Sequence, residues 1–287
     1  MRHRTILLTW SLLLVSGLSA FAQQGYQKPS KAILDVLNAP TTPNVSFSPS
    51  REKMLLEATE AHPTIADLSE PMLRIAGLRI NPNTNGLHRT QRITGLTLRN
   101  VTDGKETKLA LPANARIGIG GGGRGGQFGG GGRGGWSADS KHFAFTNTTP
   151  TGIELWIGDG ATGAVKRVPN VMLNAAYGEA VQWMPDNQTL LCQTIVAGRG
   201  KPPAEAKVPT GPNVQESFGR HSPAPTYEDL LKNPHDEDLF EYYATSQLVL
   251  VNIANSRVTP VGKPAIIASS EASPDGKHLL VISNHKP

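Results

Sequence analysis

The stretch Trp136-Ser-Ala-Asp-Ser-Lys-His-Phe-Ala-Phe sets a pattern that recurs along the chain. A similar polar turn, followed by apolar residues, begins at Phe47, Trp183 and Ala272. The middle two copies start 47 residues apart, and each flanking gap is 89 residues, which is one such period plus a long insertion. A period of this length is typical of the four-stranded blades of a β-propeller. The pattern predicts an all-β fold, a partial propeller of about three blades.

Three further segments predict β-hairpins, because alternating apolar residues run into turn dipeptides. These segments begin at Thr94, Thr151 and Ser246, and their turns lie at Asp103-Gly104, Asp159-Gly160 and Ala254-Asn255. Asp, Asn and Gly tolerate the tight reversal that such a turn requires. The hairpins supply the remaining strands of the blades.

The first 22 residues have the pattern of a secretory signal. Arg2 and Arg4 precede an apolar run over residues 6–18, and Ala20-Phe21-Ala22 follows as a small-residue cleavage site. The run is short for a membrane span, which disfavours the alternative of an uncleaved anchor. We therefore expect an exported protein, periplasmic or secreted, with no membrane contact after cleavage. Removing two arginines lowers the formal net charge from +5 to +3, which disfavours a nucleic-acid partner.

The expected organisation has several parts besides the signal peptide at 1–22. Residues 23–34 form a polar lead-in, residues 35–287 form the partial propeller, and Ile33 to Leu37 with Val45 and Phe47 begin its first blade. Three insertions are expected: residues 57–94, the Gly-rich loop 118–135, and residues 197–245. The first of them should contain one short strand, Leu78 to Ile80. The last insertion predicts two helices, Tyr227 to Lys232 and a second one opened by Asn233-Pro234 through Tyr243.

The Gly-rich loop contains 13 glycines in 18 residues. Residues 118–123 satisfy a dinucleotide-binding pattern, but that pattern needs a following helix, and here a turn into a strand follows. Two Arg-Gly-Gly triplets also resemble nucleic-acid-binding segments, which leaves cytosolic RNA binding as a function that the export signal disfavours. We expect a surface loop.

No catalytic, cofactor-binding or metal-binding residue can be assigned from these residues. His235-Asp236-Glu237-Asp238 is the densest group of possible ligands, but neighbours on a helix point in different directions, and acids in a first turn already have a structural role. The sequence contains no Gly-x-Ser-x-Gly elbow, no P-loop and no Cys-x-x-Cys motif. Cys192 has no second thiol to pair with and lies in an apolar run, so we expect a buried strand residue.

Several segments together resemble a known family. They are Leu78-Arg-Ile-Asn, Trp136 to Phe145, Glu154-Leu-Trp, Arg199-Gly-Lys-Pro-Pro, Val208-Pro-Thr-Gly-Pro and the block from Tyr227 to Leu250. From about Lys28 to Pro287 the chain is similar to the N-terminal part of the glutamyl endopeptidases of the prolyl oligopeptidase family. The Tyr227 block is specific to that group, whereas the turn at Ser273 to Lys277 is shared by many propellers.

The resemblance implies the propeller portion of a serine endopeptidase that cleaves after glutamate, and the signal-peptide pattern adds that it is exported. The propeller would gate access for peptides or unfolded proteins, and its partner would be the chain's own C-terminal α/β-hydrolase domain, which carries the family's catalytic triad. These 287 residues do not contain that domain, so no catalytic residue is carried over, and the open blade edges are expected to favour aggregation. The alternative is a non-catalytic periplasmic propeller that binds protein partners.

Overall fold

The structure is a computed structural model that describes residues 28–88, 92–119, 135–205, 219 and 229–285. The chain divides into two units, Met1–Pro40 and Thr41–Pro287. In chain order the elements are α1 Lys31–Leu37, β1 Asn44–Phe47, β2 Lys53–Thr59, α2 Ile65–Leu68, β3 Leu73–Ile75, β4 Leu78–Asn81, β5 Gly86–Leu87, β6 Ile93–Asn100, β7 Glu106–Lys108, β8 Ile117–Ile119, β9 His142–Thr149, β10 Gly152–Asp159, β11 Val165–Leu173, β12 Val181–Trp183, β13 Thr189–Ile195, α3 Pro234–Ala244, β14 Thr245–Asn252, β15 Val258–Ala272 and β16 Leu279–Asn284. The signal-peptide prediction lies outside the described residues.

In the first unit, the described part is the short helix α1. Residues 33–37, which we expected to begin the first blade, are helical, so that expectation is wrong. Lys31 and Asp35 lie one helical turn apart and form an ion pair with an N–O distance of 2.6 Å. Such a pair, together with Ala32 and two leucines, favours a helix over a strand.

In the second unit, antiparallel strands form three successive blades and the start of a fourth. The first blade contains β1, β2, β6 and β7, and the second contains β8, β9, β10 and β11. The third contains β12, β13, β14 and the first part of β15, whose last residues then pair with β16. The described residues thus form a partial β-propeller, which confirms the predicted fold class. The three predicted hairpins are β6–β7, β10–β11 and β14–β15.

Apolar side chains fill the space between successive blades. Leu55 and Leu96 of the first blade pack with Phe143 and Phe145 of the second. Leu155 and its neighbours in the second blade pack in the same way against β13 and β14 of the third. Burial of this apolar surface is the main force that holds the blades together.

The recurring turn has the same backbone in all four copies. Its fifth residue is left-handed each time, at Arg51 (φ 61°), Ser140 (φ 63°), Asn187 (φ 55°) and Gly276 (φ 68°). In two copies a serine hydroxyl, from Ser137 or Ser273, donates to the aspartate two residues later at 2.6 Å. The repeat seen in the sequence is therefore a repeat of local hydrogen bonding.

Successive turns also contact each other. The backbone N–H of Ser50 donates to Oγ of Ser140 at 2.8 Å, and that of Asp139 donates to Oδ1 of Asn187 at 3.2 Å. The turn of each of the first two blades is therefore tied to the turn of the next blade.

The left-handed turn position leads to a first prediction. We expect Arg51→Gly to raise the free energy of unfolding by about 0.5–1 kcal/mol, because glycine adopts a positive φ without the Cβ clash of arginine. Urea denaturation followed by circular dichroism measures this change. The reciprocal control, Gly276→Ala, should lower stability by about 1 kcal/mol. Stability that falls on Arg51→Gly would contradict the prediction.

The first insertion contains more structure than one short strand. The predicted strand at 78–80 is β4, but it pairs with β3 on one side and β5 on the other. Helix α2 precedes this small sheet, and a capping box between Thr64 and Asp67 starts that helix. The strands β3 and β5 are only three and two residues long, so they carry too little periodicity to be recognised in the sequence.

The second insertion contains α3, which confirms the helix predicted from Asn233-Pro234. Oδ1 of Asn233 accepts a hydrogen bond from the backbone N–H of Asp236 at 2.9 Å, and Pro234 occupies the first turn. The helix predicted over 227–232 is not present in its described part. Asp229 has φ 58°, and the residues from 230 to 232 are not helical. A left-handed residue cannot lie inside a right-handed helix, so the chain at Asp229 cannot continue one.

Candidate functional site

The first strands of all three blades border one cavity of about 480 Å³. Asn44 of β1, Ile117 to Ile119 of β8 and Val181 of β12 lie on its wall. The first insertion contributes further lining residues, among them Glu70, Asn81 and His88. Because three blades meet at this cavity, it lies on their common inner side. Its volume is in the range of protein sites that bind small molecules or side chains.

Two arginines line the cavity, and each directly precedes a strand. Arg92 precedes Ile93, Arg116 precedes Ile117, and these two isoleucines are register partners of β6 and β8. The backbone of Arg116 is held on β9, where its N–H donates to Oδ1 of Asn147 at 3.0 Å. The pairing of two distant strands therefore places both guanidinium groups at the same wall.

Two carboxylates of the first insertion meet these arginines. Asp67 is buried and forms ion pairs with Arg92 and with Arg116, the latter at 3.0 Å. Glu70 contacts Arg116 and lies 3.8 Å from Arg92. Asn81 donates its amide to Glu70 at 2.9 Å. The result is a cluster of two positive and two negative groups at the edge of the cavity, which we call the arginine cluster: Asp67, Glu70, Asn81, Arg92 and Arg116.

His88 adds a polar atom to the same cavity. Its Nε2 is buried, and no residue that the structure describes offers it a hydrogen bond. Burial of an unpaired polar atom costs free energy, which such atoms recover when a ligand group reaches them.

Three of the segments that carry the resemblance pack against one another. Leu78 and Ile80 of β4 pack against Tyr243 of α3 in one apolar cluster. Arg199 lies over the Tyr242 ring, 4.2 Å from its centre, and donates to Oδ1 of Asn85 at 2.7 Å. The two insertions therefore form one small structural module, which we call the insertion module: β3 to β5, α3 and the residues around Arg199.

The residues that the sequence analysis weighed for metal binding have structural contacts at the start of α3. Oδ2 of Asp236 accepts a hydrogen bond from the backbone N–H of Lys232 at 2.9 Å. Within the described ranges, no three His, Cys, Asp or Glu side chains are grouped so that they could hold a metal ion.

Cys192 is fully buried in β13, as predicted from its apolar surroundings. Burial raises the pKa of its thiol far above the usual range, which removes its nucleophilic character.

Most of the Gly-rich loop, residues 120–134, lies outside the described residues. Both ends of the loop pair with β9, since Ile119 is the register partner of Phe145 and Trp136 forms a bridge with Phe143. Gly135 has φ 75°, and a Cβ atom there would lie 2.1 Å from the carbonyl oxygen of Ala144. Glycine is therefore required at the point where the chain re-enters the blade.

The arginine cluster was not found in the sequence. Thr64 and Asp67 have the spacing of a capping box, which is a local signal for the helix start. Nothing local links residues 67 and 70 to residues 92 and 116, because their proximity depends on the pairing of β6 with β8.

No helix among the described residues is long and apolar enough to cross a membrane. No protein-family model matches the chain. A probable glutamyl endopeptidase of the chloroplast from Oryza sativa subsp. japonica is 36% identical over 281 residues, which cover 93% of this chain and 28% of the relative. A protein of the same name from Arabidopsis thaliana is 37% identical over 273 residues, 92% of this chain and 27% of the relative. This chain is a homologue of the glutamyl endopeptidases. The resemblance stated from the sequence motifs is confirmed, and the chain spans just over a quarter of those relatives' length.

Solved structures with a similar fold include an acylaminoacyl peptidase from Pyrococcus horikoshii. It has a TM-score of 0.43 and 13% identity, over 88% of this chain and 29% of that protein. The β-propeller domain of the Trilobed protease from Pyrococcus furiosus has a TM-score of 0.40 and 11% identity, over 86% of this chain and 50% of that domain.

Proposed function

We propose that this chain is the substrate-gating propeller portion of an exported serine endopeptidase that cleaves after glutamate. The single observation that carries the proposal is the 36–37% identity to two proteins named glutamyl endopeptidase, which extends over 92–93% of the chain. The catalytic triad would come from an α/β-hydrolase domain that contacts the propeller. The propeller would admit peptides or unfolded segments along its inner side.

The insertion module supports a peptidase role over that of a general binding propeller. It covers the side of the blades on which the cavity lies, since Asn81, Thr84 and His88 belong to the first insertion and line that cavity. A propeller that binds partners through its blade loops has no need of such a covering. Two arginines, paired with Asp67 and Glu70, line this cavity, and arginine suits carboxylate recognition, which supports an acidic substrate.

The test uses a protein extended through the hydrolase domain. Two matched peptide substrates carry Glu or Gln before the scissile bond, and kcat/KM is measured for each. We expect a preference for Glu of roughly 10–100-fold, the value of one charged hydrogen bond that Gln cannot form. Equal rates would reject cleavage after glutamate, and no cleavage at all would favour the binding propeller.

The export proposal has a separate test. Expression of the intact chain in a Gram-negative host, followed by fractionation and N-terminal sequencing, should give a periplasmic protein that begins at Gln23. A cytosolic protein that retains residues 1–22 would reject export.

A further inference from the structure

The arginine cluster differs from the ion pairs on the surface of this protein. In the pair Arg99–Glu106, for example, both side chains are almost half exposed, and such an exposed pair contributes little to the stability of the fold. In the arginine cluster, the Asp67 side chain is only 1% exposed, and Arg92 and Arg116 are 18% and 27% exposed. Burial of charged side chains costs desolvation free energy, so a buried charged cluster that faces a cavity indicates a function for that cavity.

Asp67 acts as the fixed part of the cluster. Its Oδ2 accepts from the backbone N–H of Thr64 at 2.8 Å and from the Thr64 hydroxyl at 2.6 Å. Its Oδ1 faces both arginines. These four partners use the hydrogen-bonding capacity of one carboxylate. Asp67 therefore holds the two guanidinium groups side by side, and it cannot turn to another ligand without losing the start of α2.

Glu70 is held differently. Its Oε1 contacts Arg116 and lies 3.8 Å from Arg92, while its Oε2 accepts from the Asn81 amide at 2.9 Å. Its side chain is 22% exposed and lines the cavity. One glutamate carboxylate thus sits between two arginines and an amide donor. That set of donors is what a site for a glutamate side chain requires.

We propose that Arg92, Arg116 and Asn81 form a subsite for the carboxylate of an acidic peptide side chain, and that Glu70 occupies this subsite when no peptide is bound. This inference rests on the proposed function. An incoming glutamate or aspartate displaces the Glu70 carboxylate toward solvent and takes over its contacts. Two arginines against Asp67 alone leave one net positive charge facing the cavity, which favours a carboxylate over the neutral amide of glutamine.

Glu70 lowers the affinity of the subsite for acidic peptides. A peptide must compete with Glu70, so the free energy of displacing it is subtracted from the free energy of binding. Replacing Glu70 by glutamine removes the competing charge and preserves the size of the side chain. Glu70→Gln should therefore tighten the binding of acidic peptides, whereas loss of an ordinary structural residue would not.

The experiment measures binding of two fluorescent pentapeptides, Ala-Ala-Glu-Ala-Ala and Ala-Ala-Gln-Ala-Ala, to the 287-residue chain by anisotropy. We expect the wild-type chain to bind the Glu peptide about 5-fold more tightly than the Gln peptide. Glu70→Gln should raise affinity for the Glu peptide about 10-fold and leave that for the Gln peptide unchanged. Arg116→Met should abolish the preference. The control Arg99→Met, which removes the exposed pair with Glu106, should leave the affinities for both peptides at their wild-type values.

Circular dichroism of each variant separates binding from folding. If Arg116→Met fails to fold, the peptide affinities of Glu70→Gln alone test the subsite, because this change keeps the volume of the side chain. A Glu70→Gln chain that is folded but binds the Glu peptide no better than wild type overturns the subsite. Equal binding of Glu and Gln peptides by the wild type and by Glu70→Gln overturns it as well.

The same variants in the protein extended through the hydrolase domain keep this inference apart from the proposed function. If the wild type cleaves after Glu and the Glu/Gln ratio of kcat/KM is unchanged in Arg116→Met and Glu70→Gln, the function stands and the subsite is rejected. If the propeller prefers acidic peptides but the extended protein shows no preference at the scissile bond, the subsite stands and the cleavage specificity is rejected.

Discussion

Replacing Asn174 by alanine is expected to lower the free energy of unfolding by roughly 4 kcal/mol, because four hydrogen bonds, three of them buried, end at this one side chain. Asn174 is fully buried and directly follows β11. Its Nδ2 donates to the carbonyl oxygens of Tyr243 and Thr245, both at 2.9 Å. Its Oδ1 accepts from the Asn85 amide at 2.6 Å and from the backbone N–H of Ala176 at 3.1 Å.

Three of these bonds, those with Asn85, Tyr243 and Thr245, connect parts of the chain that are distant in sequence. Asn85 belongs to the first insertion, and Tyr243 and Thr245 lie where α3 ends and β14 begins. Asn174 therefore joins the insertion module to the end of the second blade and to the start of β14 in the third. Its loss leaves several buried polar groups short of a partner, which costs more than the loss of one exposed hydrogen bond.

Urea denaturation followed by circular dichroism and tryptophan fluorescence measures the effect. Asn174→Asp keeps the volume and one acceptor but replaces the two amide N–H donors by an oxygen, so it should be as destabilising at neutral pH. The control Asn255→Ala removes an exposed turn contact, the 2.9 Å bond from the Arg257 N–H, and should cost under about 1 kcal/mol. An Asn174→Ala chain with the stability of that control would show that the insertion module is held by other contacts.

The blades could be predicted from sequence because their signals are local. The turn that follows Trp136 depends on hydrogen bonds within a few residues, from Ser137 to Asp139 and from the His142 N–H to Ser137. The start of α3 depends in the same way on Asn233 and Pro234. Signals of this kind survive in a single sequence, since each needs only its own neighbours.

Elements that depend on distant partners could not be predicted. The strands β3 and β5 are stabilised by packing against Ala176 and Tyr243, which lie about a hundred residues or more further along the chain. The arginine cluster depends on one register pair, Ile93 with Ile117. Helix α1 is an exception, because its signal is local: the pair Lys31–Asp35 indicates a helix, although the apolar residues at 33–37 also fit a strand. Tertiary contacts thus decide the site, whereas local contacts decide the blades.

Gly158→Ala is the second change for which a large effect is expected, a loss of about 3 kcal/mol. Gly158 in β10 faces Phe143 in β9 as its register partner. A Cβ atom at Gly158 would lie 2.0 Å from Cζ of Phe143, far inside the contact distance of two carbon atoms. The Phe143 ring cannot move away, because it is fully buried against Trp136 and Phe145, with ring centres at 5.1 and 6.1 Å.

The clash predicts a specific rescue. Phe143→Leu removes ring atoms that the new methyl group would meet, and by itself it should cost about 1–2 kcal/mol through the cavity that it leaves. The double variant Gly158→Ala/Phe143→Leu should be more stable than the sum of the two single changes by about 1–2 kcal/mol. The coupling is obtained from the denaturant midpoints of four proteins: the wild type, the two single variants and the double variant. Gly95→Ala in β6 is the matched control, because its Cβ would lie at an ordinary 3.5 Å from Ala58, and it should change stability little. If the two changes add without coupling, the aromatic ring over Gly158 is not what requires glycine in this strand.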